Sequence, residues 1–334
     1  MAVKSINLAA KDKSNMRKMI LDFPGQFRAG INAAENIKVQ GRFDEVVICG
    51  MGGSALPADI FNIWLKAYKI ALPFYIHRNY GIPGQADRNH LIVCASYSGN
   101  TEETLSAFDE AAKKKLKIAV ITSGGKLAQR AKKEGVPLVL IPSGLPPRMS
   151  LGLQLGALMK LLVNCGIISN GLENLLQLEK TLNPKTLETQ GKKLAKRIKG
   201  RIPVIYSSDR LQALARIWKI KFNENSKIPS FFNFFPELNH NEMVGYTDSA
   251  GLHVIILKDP ADHPRNQKRI KLTAELLKKK GVPVDIIEIK GQDILYKAFN
   301  NLLLADWASY YLALELGRDP APVKIVEDFK ERMN

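Results

Sequence analysis

From Glu45 onward, short apolar runs alternate with amphipathic stretches. Val46-Val47-Ile48-Cys49 predicts a strand, and the stretch from about Ala55 to Lys66 predicts a helix. Further strands are expected at Phe74-Tyr75-Ile76, Leu91-Ile92-Val93-Cys94, Ile118-Ala119-Val120-Ile121 and Leu138-Val139-Leu140-Ile141, with helices over 102–114 and 126–133 between them. This alternation predicts an α/β protein with a mostly parallel sheet covered by helices on both faces.

Residues 150–163 read as a mostly apolar helix. The polar, turn-rich segment from Ser169 to Thr186, with Asn183-Pro184, follows it. A weaker copy of the pattern comes next: strands Pro203-Val204-Ile205-Tyr206, Val254-Ile255-Ile256-Leu257 and Val284-Asp285-Ile286-Ile287, with helices over 211–222 and 266–279. A long helix over 294–316 ends at Gly317, a residue suited to a helix C-terminus, and the tail 323–334 has room for one more helix. The expected organisation is therefore an N-terminal domain over 1–168, a linker over 169–186 and a C-terminal domain over 187–334. With 334 residues and 46% hydrophobic content, the chain can fill two cores.

Two loops carry the chemistry of the first half. The first strand ends in Gly50-Met51-Gly52-Gly53-Ser54 and runs straight into a helix, where small residues let backbone amides approach an anion. A dinucleotide fingerprint would want a third glycine at position 55, where alanine stands, a form some such sites permit. The third strand ends in Ser96-Tyr97-Ser98-Gly99-Asn100-Thr101-Glu102-Glu103-Thr104, which sets hydroxyls and a glycine before the next helix. Its alternative reading is a capping box built from Thr101 and Thr104 or from Ser98 and Glu102. Both loops lie at the carboxyl ends of strands, where open α/β sheets bind ligands, and together they suit a phosphate monoester.

These two loops resemble those of the sugar isomerase (SIS) domain. The resemblance implies that Gly53, Ser54, Ser96, Ser98 and Thr101 bind a sugar phosphate. Three more segments resemble one branch, the bifunctional phosphoglucose/phosphomannose isomerases: Pro142-Ser143-Gly144-Leu145-Pro146-Pro147-Arg148-Met149-Ser150, Pro236-Glu237-Leu238-Asn239-His240-Asn241-Glu242 and Asp262-His263-Pro264-Arg265. Together the segments span nearly the whole chain. They imply two SIS-type domains, each a three-layer α/β/α arrangement.

Arg148 follows a glycine and proline turn and precedes an apolar helix; its planar guanidinium suits a developing oxyanion, while the alternative is an ordinary surface arginine. Asn239-His240-Asn241-Glu242 crowds polar groups beside Phe231-Phe232-Asn233-Phe234-Phe235, where a partly desolvated carboxylate is a better base. Glu242 is thus the candidate to move a proton between C2 and C1, in agreement with the family's catalytic glutamate; Glu237 competes for the role. Among the histidines, His77 and His90 flank strands, His253 begins an apolar strand, and His263 stands at a helix start before Pro264. By the resemblance, His263 and Lys330 open and close the sugar ring. Residue reading alone leaves His263 a simple helix-start residue and Lys330 an exposed helix charge.

The implied reaction interconverts glucose 6-phosphate and mannose 6-phosphate with fructose 6-phosphate. Arg148 would stabilise the enediolate, and rotation about C2–C3 would expose either of its faces. A homodimer that completes each site with the partner's His263 is the family's arrangement. Another phosphosugar isomerase, an aminosugar-phosphate enzyme and a non-catalytic phosphosugar sensor remain alternatives.

The net charge of +17 raises nucleic acid as a partner, yet the positives are dispersed, with local concentrations only at Lys113–Lys117 and Lys192–Arg201. No recognition-helix, aromatic RNA-binding or zinc-finger pattern accompanies them, and the residues before the first strand form no DNA-binding module, so no nucleic-acid partner is expected. Cys49, Cys94 and Cys165 lack metal or redox spacing and read as buried thiols. Neither a metal nor a cofactor is expected. The first twenty residues lack a signal-peptide core, and no run approaches the roughly 18 apolar residues of a membrane span. The expectation is a cytoplasmic protein without membrane contact.

Overall fold

The computed structural model describes residues 11–248 and 251–333. The chain forms two compact units. The amino-terminal unit comprises Asp22–Leu182 with Asp293–Tyr296; the carboxy-terminal unit comprises the chain up to Leu21, Asn183–Gln292 and the chain from Lys297. In chain order, the amino-terminal half runs α1 (Met16–Leu21), α2 (Gln26–Ala33), β1 (Glu45–Cys49), α3 (Gly52–Ala67), β2 (Phe74–His77), β3 (His90–Ser96), α4 (Glu102–Lys113), β4 (Lys117–Thr122), α5 (Gly125–Lys133), β5 (Leu138–Leu140), α6 (Leu151–Asn164) and α7 (Leu172–Thr181). There follow α8 (Pro184–Ile198), β6 (Ile202–Ser208), α9 (Gln212–Lys221), β7 (Phe231–Phe235), β8 (Leu252–Lys258), α10 (Pro264–Lys279), β9 (Val284–Glu288), α11 (Ile294–Glu315) and α12 (Lys324–Met333).

The first sheet has the order β2-β1-β3-β4-β5 and is parallel throughout. All seven residues of β3 are buried, as a central parallel strand requires when helices cover both faces. On one face Val47, Cys49, Ile92, Cys94 and Val120 pack with Leu105 and Phe108 of α4 and Leu127 of α5. On the other, Ile48, Val93, Ala95 and Ile121 line a small cavity with Pro57 and Ala58 of α3 and Leu158 of α6. Alternate residues of each strand thus serve opposite layers.

The second sheet, also parallel, has the order β7-β6-β8-β9. One of its faces packs Val204, Tyr206, Val254 and Ile256 against Ile270, Ala274 and Leu277 of α10. The strand β7 is new relative to the expectation from sequence, where Phe231–Phe235 was only an apolar run. It is an edge strand paired with β6, so its residues are mostly half-buried and the run lacks a strand's regular alternation.

The segment expected to be a turn-rich linker instead carries α7, because Leu175 and Leu178 recur at helical spacing and are buried. The break between units falls after Leu182, and Pro184 opens α8 at a position that tolerates proline. Cys165 is half-buried rather than buried, while Cys49 and Cys94 are buried as expected. Among the described residues, no helix is long and apolar enough to cross a membrane.

Candidate functional site

In the amino-terminal unit, β1 delivers Gly50–Ser54 to the N-terminus of α3. A Cβ at Gly53 would lie 2.6 Å from the carbonyl carbon of Pro147 and 2.7 Å from the amide nitrogen of Arg148, so only glycine lets this loop meet the Arg148 turn. Ser54 is buried, and its Oγ accepts a hydrogen bond from the Tyr97 amide at 2.8 Å. That bond ties the loop after β1 to the loop after β3.

Within the second loop, the hydroxyls of Ser96 and Thr101 lie 2.9 Å apart, and the Gly99 amide donates to Ser96 Oγ at 3.1 Å. Thr101 occupies the N-cap of α4 without capping it through its side chain, so the capping-box alternative does not describe this loop. Ser98 is exposed, its Oγ accepting from the Asn100 amide at 3.3 Å. Gly99 has φ +70°, and a Cβ there would sit 1.8 Å from the Gly124 carbonyl oxygen. The loop after β3 is therefore held to the loop after β1 through the Ser54 hydroxyl and to the loop after β4 by close backbone contact.

Arg148 lies in a short 3-10 turn, Pro147–Met149, and is 1% exposed, which removes the reading of an ordinary surface arginine. The turn is fixed from three directions. Gln26 of α2 donates to the Met149 carbonyl at 2.7 Å and accepts from the Leu153 amide at 3.2 Å. Ser150 Oγ donates to the Pro147 carbonyl at 2.8 Å and accepts from Gln154 at 2.8 Å. Tyr97 Oη donates to the Pro142 carbonyl at 3.0 Å and accepts from the Leu145 amide at 3.1 Å. Gly53, Ser54, Ser96, Ser98, Thr101 and the Arg148 turn thus belong to one connected set of loops, with hydroxyls, amides and a helix N-terminus suited to a phosphate.

In the carboxy-terminal unit, Glu242 is half-buried at the start of a 3-10 segment. One carboxylate oxygen accepts from Tyr206 Oη and the other from Asn233 Nδ2. Tyr206 and Asn233 face each other in the β6–β7 register, so two adjacent strands aim one carboxylate. Tyr206 Oη also bonds Tyr246 Oη. Burial, then the neighbouring Tyr246 and Glu242, pushes the Tyr206 phenol far above its ordinary value, and burial lifts Tyr246 up to about 12. Both phenols keep their protons at working pH, so Tyr206 donates to Glu242 and Tyr246 donates to Tyr206. By contrast, Glu237 is exposed and accepts from the neighbouring Asn241 at 2.8 Å, which separates it from Glu242 in environment.

His263 is exposed as the N-cap of α10, with Nδ1 accepting from the Arg265 amide at 3.1 Å. Lys330 is exposed on α12. Of the remaining histidines, His253 is buried against Asp285 at 2.8 Å, and His90 is buried and bonded to Asp87 at 2.8 Å. His77 ends β2 and contacts the Tyr80 carbonyl at 3.2 Å. Among the described residues, no cluster of three His, Cys, Asp or Glu side chains is arranged to hold a metal.

Sequence reading missed Tyr206, Asn233 and Tyr246. The one signal present was Asn233 itself, a single amide inside a run of four phenylalanines, which needs a partner once the run is packed.

A family model described as the bacterial phospho-glucose isomerase C-terminal SIS domain matches residues 187–333. The bifunctional phosphoglucose/phosphomannose isomerase of Aquifex aeolicus is 38% identical over 292 residues, covering 86% of this chain and 90% of that one. The D-glucosamine-6-phosphate 4-epimerase of Sulfolobus acidocaldarius is 31% identical over 290 residues, covering 86% of this chain and 89% of that one. Among solved structures, the C-terminal domain of glucosamine-fructose-6-phosphate aminotransferase from Francisella tularensis superposes with a TM-score of 0.68 at 14% identity, covering 92% of this chain and 97% of that one; this likeness is one of fold. Identity of 38% to the Aquifex aeolicus protein over most of both sequences, together with the matching C-terminal domain model, makes the chain a member of the bifunctional phosphoglucose/phosphomannose isomerase family.

Proposed function

We propose that the protein interconverts glucose 6-phosphate and mannose 6-phosphate with fructose 6-phosphate, and that both units are SIS-type domains. The observation that carries this reading is the aimed carboxylate: Tyr206 and Asn233 hold both oxygens of Glu242, an arrangement a phosphosugar sensor has no need of. Phosphate binding by Gly53, Ser54, Ser96, Ser98 and Thr101 orients the open-chain sugar and makes proton transfer effectively intramolecular. His263 and Lys330 open the ring. Glu242 then removes the C2 proton, Arg148 stabilises the enediolate oxygen, and the proton returns at C1. Glucose and mannose 6-phosphates differ only at C2, so an enediolate reprotonated on either face yields both. The active species is a cytoplasmic homodimer in which His263 serves the partner's site.

A coupled assay of fructose 6-phosphate formation tests this directly. Comparable turnover of both aldose phosphates is expected; turnover of neither, with phosphosugar binding retained, would indicate a sensor. The epimerase relative favours one second reading, an aminosugar-phosphate substrate, so glucosamine 6-phosphate belongs in the same assay.

Tyr206→Phe is expected to lower kcat by roughly 10- to 100-fold while KM changes little, since it removes one hydrogen bond of about 1.5–3 kcal/mol to a charged group. Steady-state kinetics on both substrates would detect it. An equal loss in KM would assign Tyr206 to substrate binding instead.

A further inference from the structure

The two sheets share a topology that makes their strand-end loops comparable. In the order β2-β1-β3-β4-β5 the central crevice lies between the loops after β1 and β3; in the order β7-β6-β8-β9 it lies between the loops after β6 and β8. The first crevice is lined with hydroxyls. The second is filled by a cluster of the protein's own charges.

Arg210, just after β6, donates through Nη2 to Asp259 Oδ2 at 2.6 Å, and through Nε and Nη2 to Asp262 Oδ1 at 3.3 and 3.1 Å. Ser208 Oγ donates to the same Asp262 oxygen at 2.7 Å. Lys297 Nζ donates to Asp259 Oδ1 at 2.9 Å, and the Ala261 amide donates to that oxygen at 3.0 Å. The Asp262 amide in turn donates to the Asp259 carbonyl at 3.0 Å. Both aspartates are buried, and Asp262 Oδ2 is buried without a hydrogen-bond partner. Burial pushes the Asp259 carboxyl up, but the Ala261 amide, Lys297 and Arg210 outweigh it and hold Asp259 below the usual carboxylate range.

Such a cluster contributes little net stability, because desolvating the charges offsets most of their attraction, and an unpaired carboxylate oxygen adds a penalty. Its cations are already engaged by the two aspartates, Arg210 by Asp259 and Asp262 and Lys297 by Asp259. What it does fix is the loop from Asp259 to His263. Asp262 points inward as the anchor, and the next residue, His263, is exposed. The Asn266 and Gln267 amides then hold the His263 carbonyl at 2.8 and 3.1 Å, and the Arg265 amide holds the ring through Nδ1.

We propose that Ser208, Arg210, Asp259, Asp262 and Lys297 form a positioning cluster that sets His263 for ring opening of the hexose 6-phosphate. The proposal rests on the isomerase reading and extends it. Ring opening removes the O1 proton and delivers a proton to O5 as the C1–O5 bond breaks, which leaves a C1 aldehyde; no oxidant or cofactor enters. A ring nitrogen displaced by a fraction of an ångström would slow this step without altering the phosphate grip.

Ring opening has its own readout, the exchange between the α and β anomers of glucose 6-phosphate followed by NMR in the full-length protein. In a Glu242→Gln background, where C2 proton transfer is blocked, Asp262→Asn and Arg210→Gln are expected to slow catalysed anomer exchange about 10- to 100-fold, a loss typical of misplaced groups. The glucose 6-phosphate Kd should stay within about twofold, and Arg210→Lys should fall between, since lysine cannot reach both aspartates in fork geometry. If Arg210→Gln fails to fold, Asp262→Asn and Ser208→Ala decide the matter. Unchanged exchange in a folded Asp262→Asn, or a parallel loss of exchange and binding, overturns the proposal. Absence of fructose 6-phosphate formation by the unmodified protein would instead overturn the isomerase reading itself.

Discussion

Glu242→Gln is expected to reduce kcat on both aldose phosphates by about 10³-fold, within the range usual for loss of a positioned proton-transfer group, while glucose 6-phosphate still binds. The substitution is nearly isosteric and the surrounding bonds can be remade. Glutamine's carbonyl oxygen can accept from Asn233, and its amide can donate to Tyr206, whose hydroxyl then turns to Tyr246. The loss therefore reports the missing base and not a disturbed fold. Kinetics paired with calorimetric titration of the substrate separates the two. Retained turnover would remove Glu242 from the mechanism, and lost binding would make it a substrate ligand.

Gly99→Ala has the second large expected effect, on the other half of the chemistry. The residue sits at φ +70°, where a side chain costs about 1–2 kcal/mol. The new Cβ would also lie 1.8 Å from the Gly124 carbonyl oxygen and 2.9 Å from Thr122 Oγ1. Backbone cannot rotate away as a side chain can, so the loop after β3 must separate from the loop after β4. That shift carries Ser96, Ser98 and Thr101 with it. Destabilisation of roughly 2–4 kcal/mol is expected, with KM for both substrates raised at least about tenfold. Gly84→Ala is the matched control: its Cβ meets nothing within 4 Å, and its stability should change by less than about 0.5 kcal/mol. Thermal denaturation and steady-state kinetics on the two variants test the pair. Equal behaviour would mean that the loop contact does not shape the proposed phosphate site.

The legible parts of the sequence were those where local pattern and tertiary role coincide. Buried parallel strands such as β3 are continuous apolar runs, and their loops announced themselves by small and hydroxyl residues in front of helices. The strand β7 was obscured because an edge strand is only partly covered, and α7 because its two buried leucines are set among polar residues. Within the candidate site, loop chemistry marked the two hydroxyl-bearing loops and the resemblance named Ser54, Ser96 and Thr101 in them, whereas the setting of the Arg148 turn depends on Gln26, Tyr97 and Ser150, far apart in sequence. The pairing of tyrosine and asparagine that aims Glu242 was out of reach for a simpler reason. Tyr206 and Asn233 become neighbours only through strand pairing, and 27 positions separate them in the chain.

The central claim is most directly tested by incubating the protein with fructose 6-phosphate alone in D2O and following the products by NMR. Glucose 6-phosphate and mannose 6-phosphate should both appear, with deuterium from solvent at C2 in part of each, as expected for an enediolate whose proton is carried by a carboxylate open to exchange. No aldose phosphate at all, or a product altered at C4 with C2 untouched, would contradict the account.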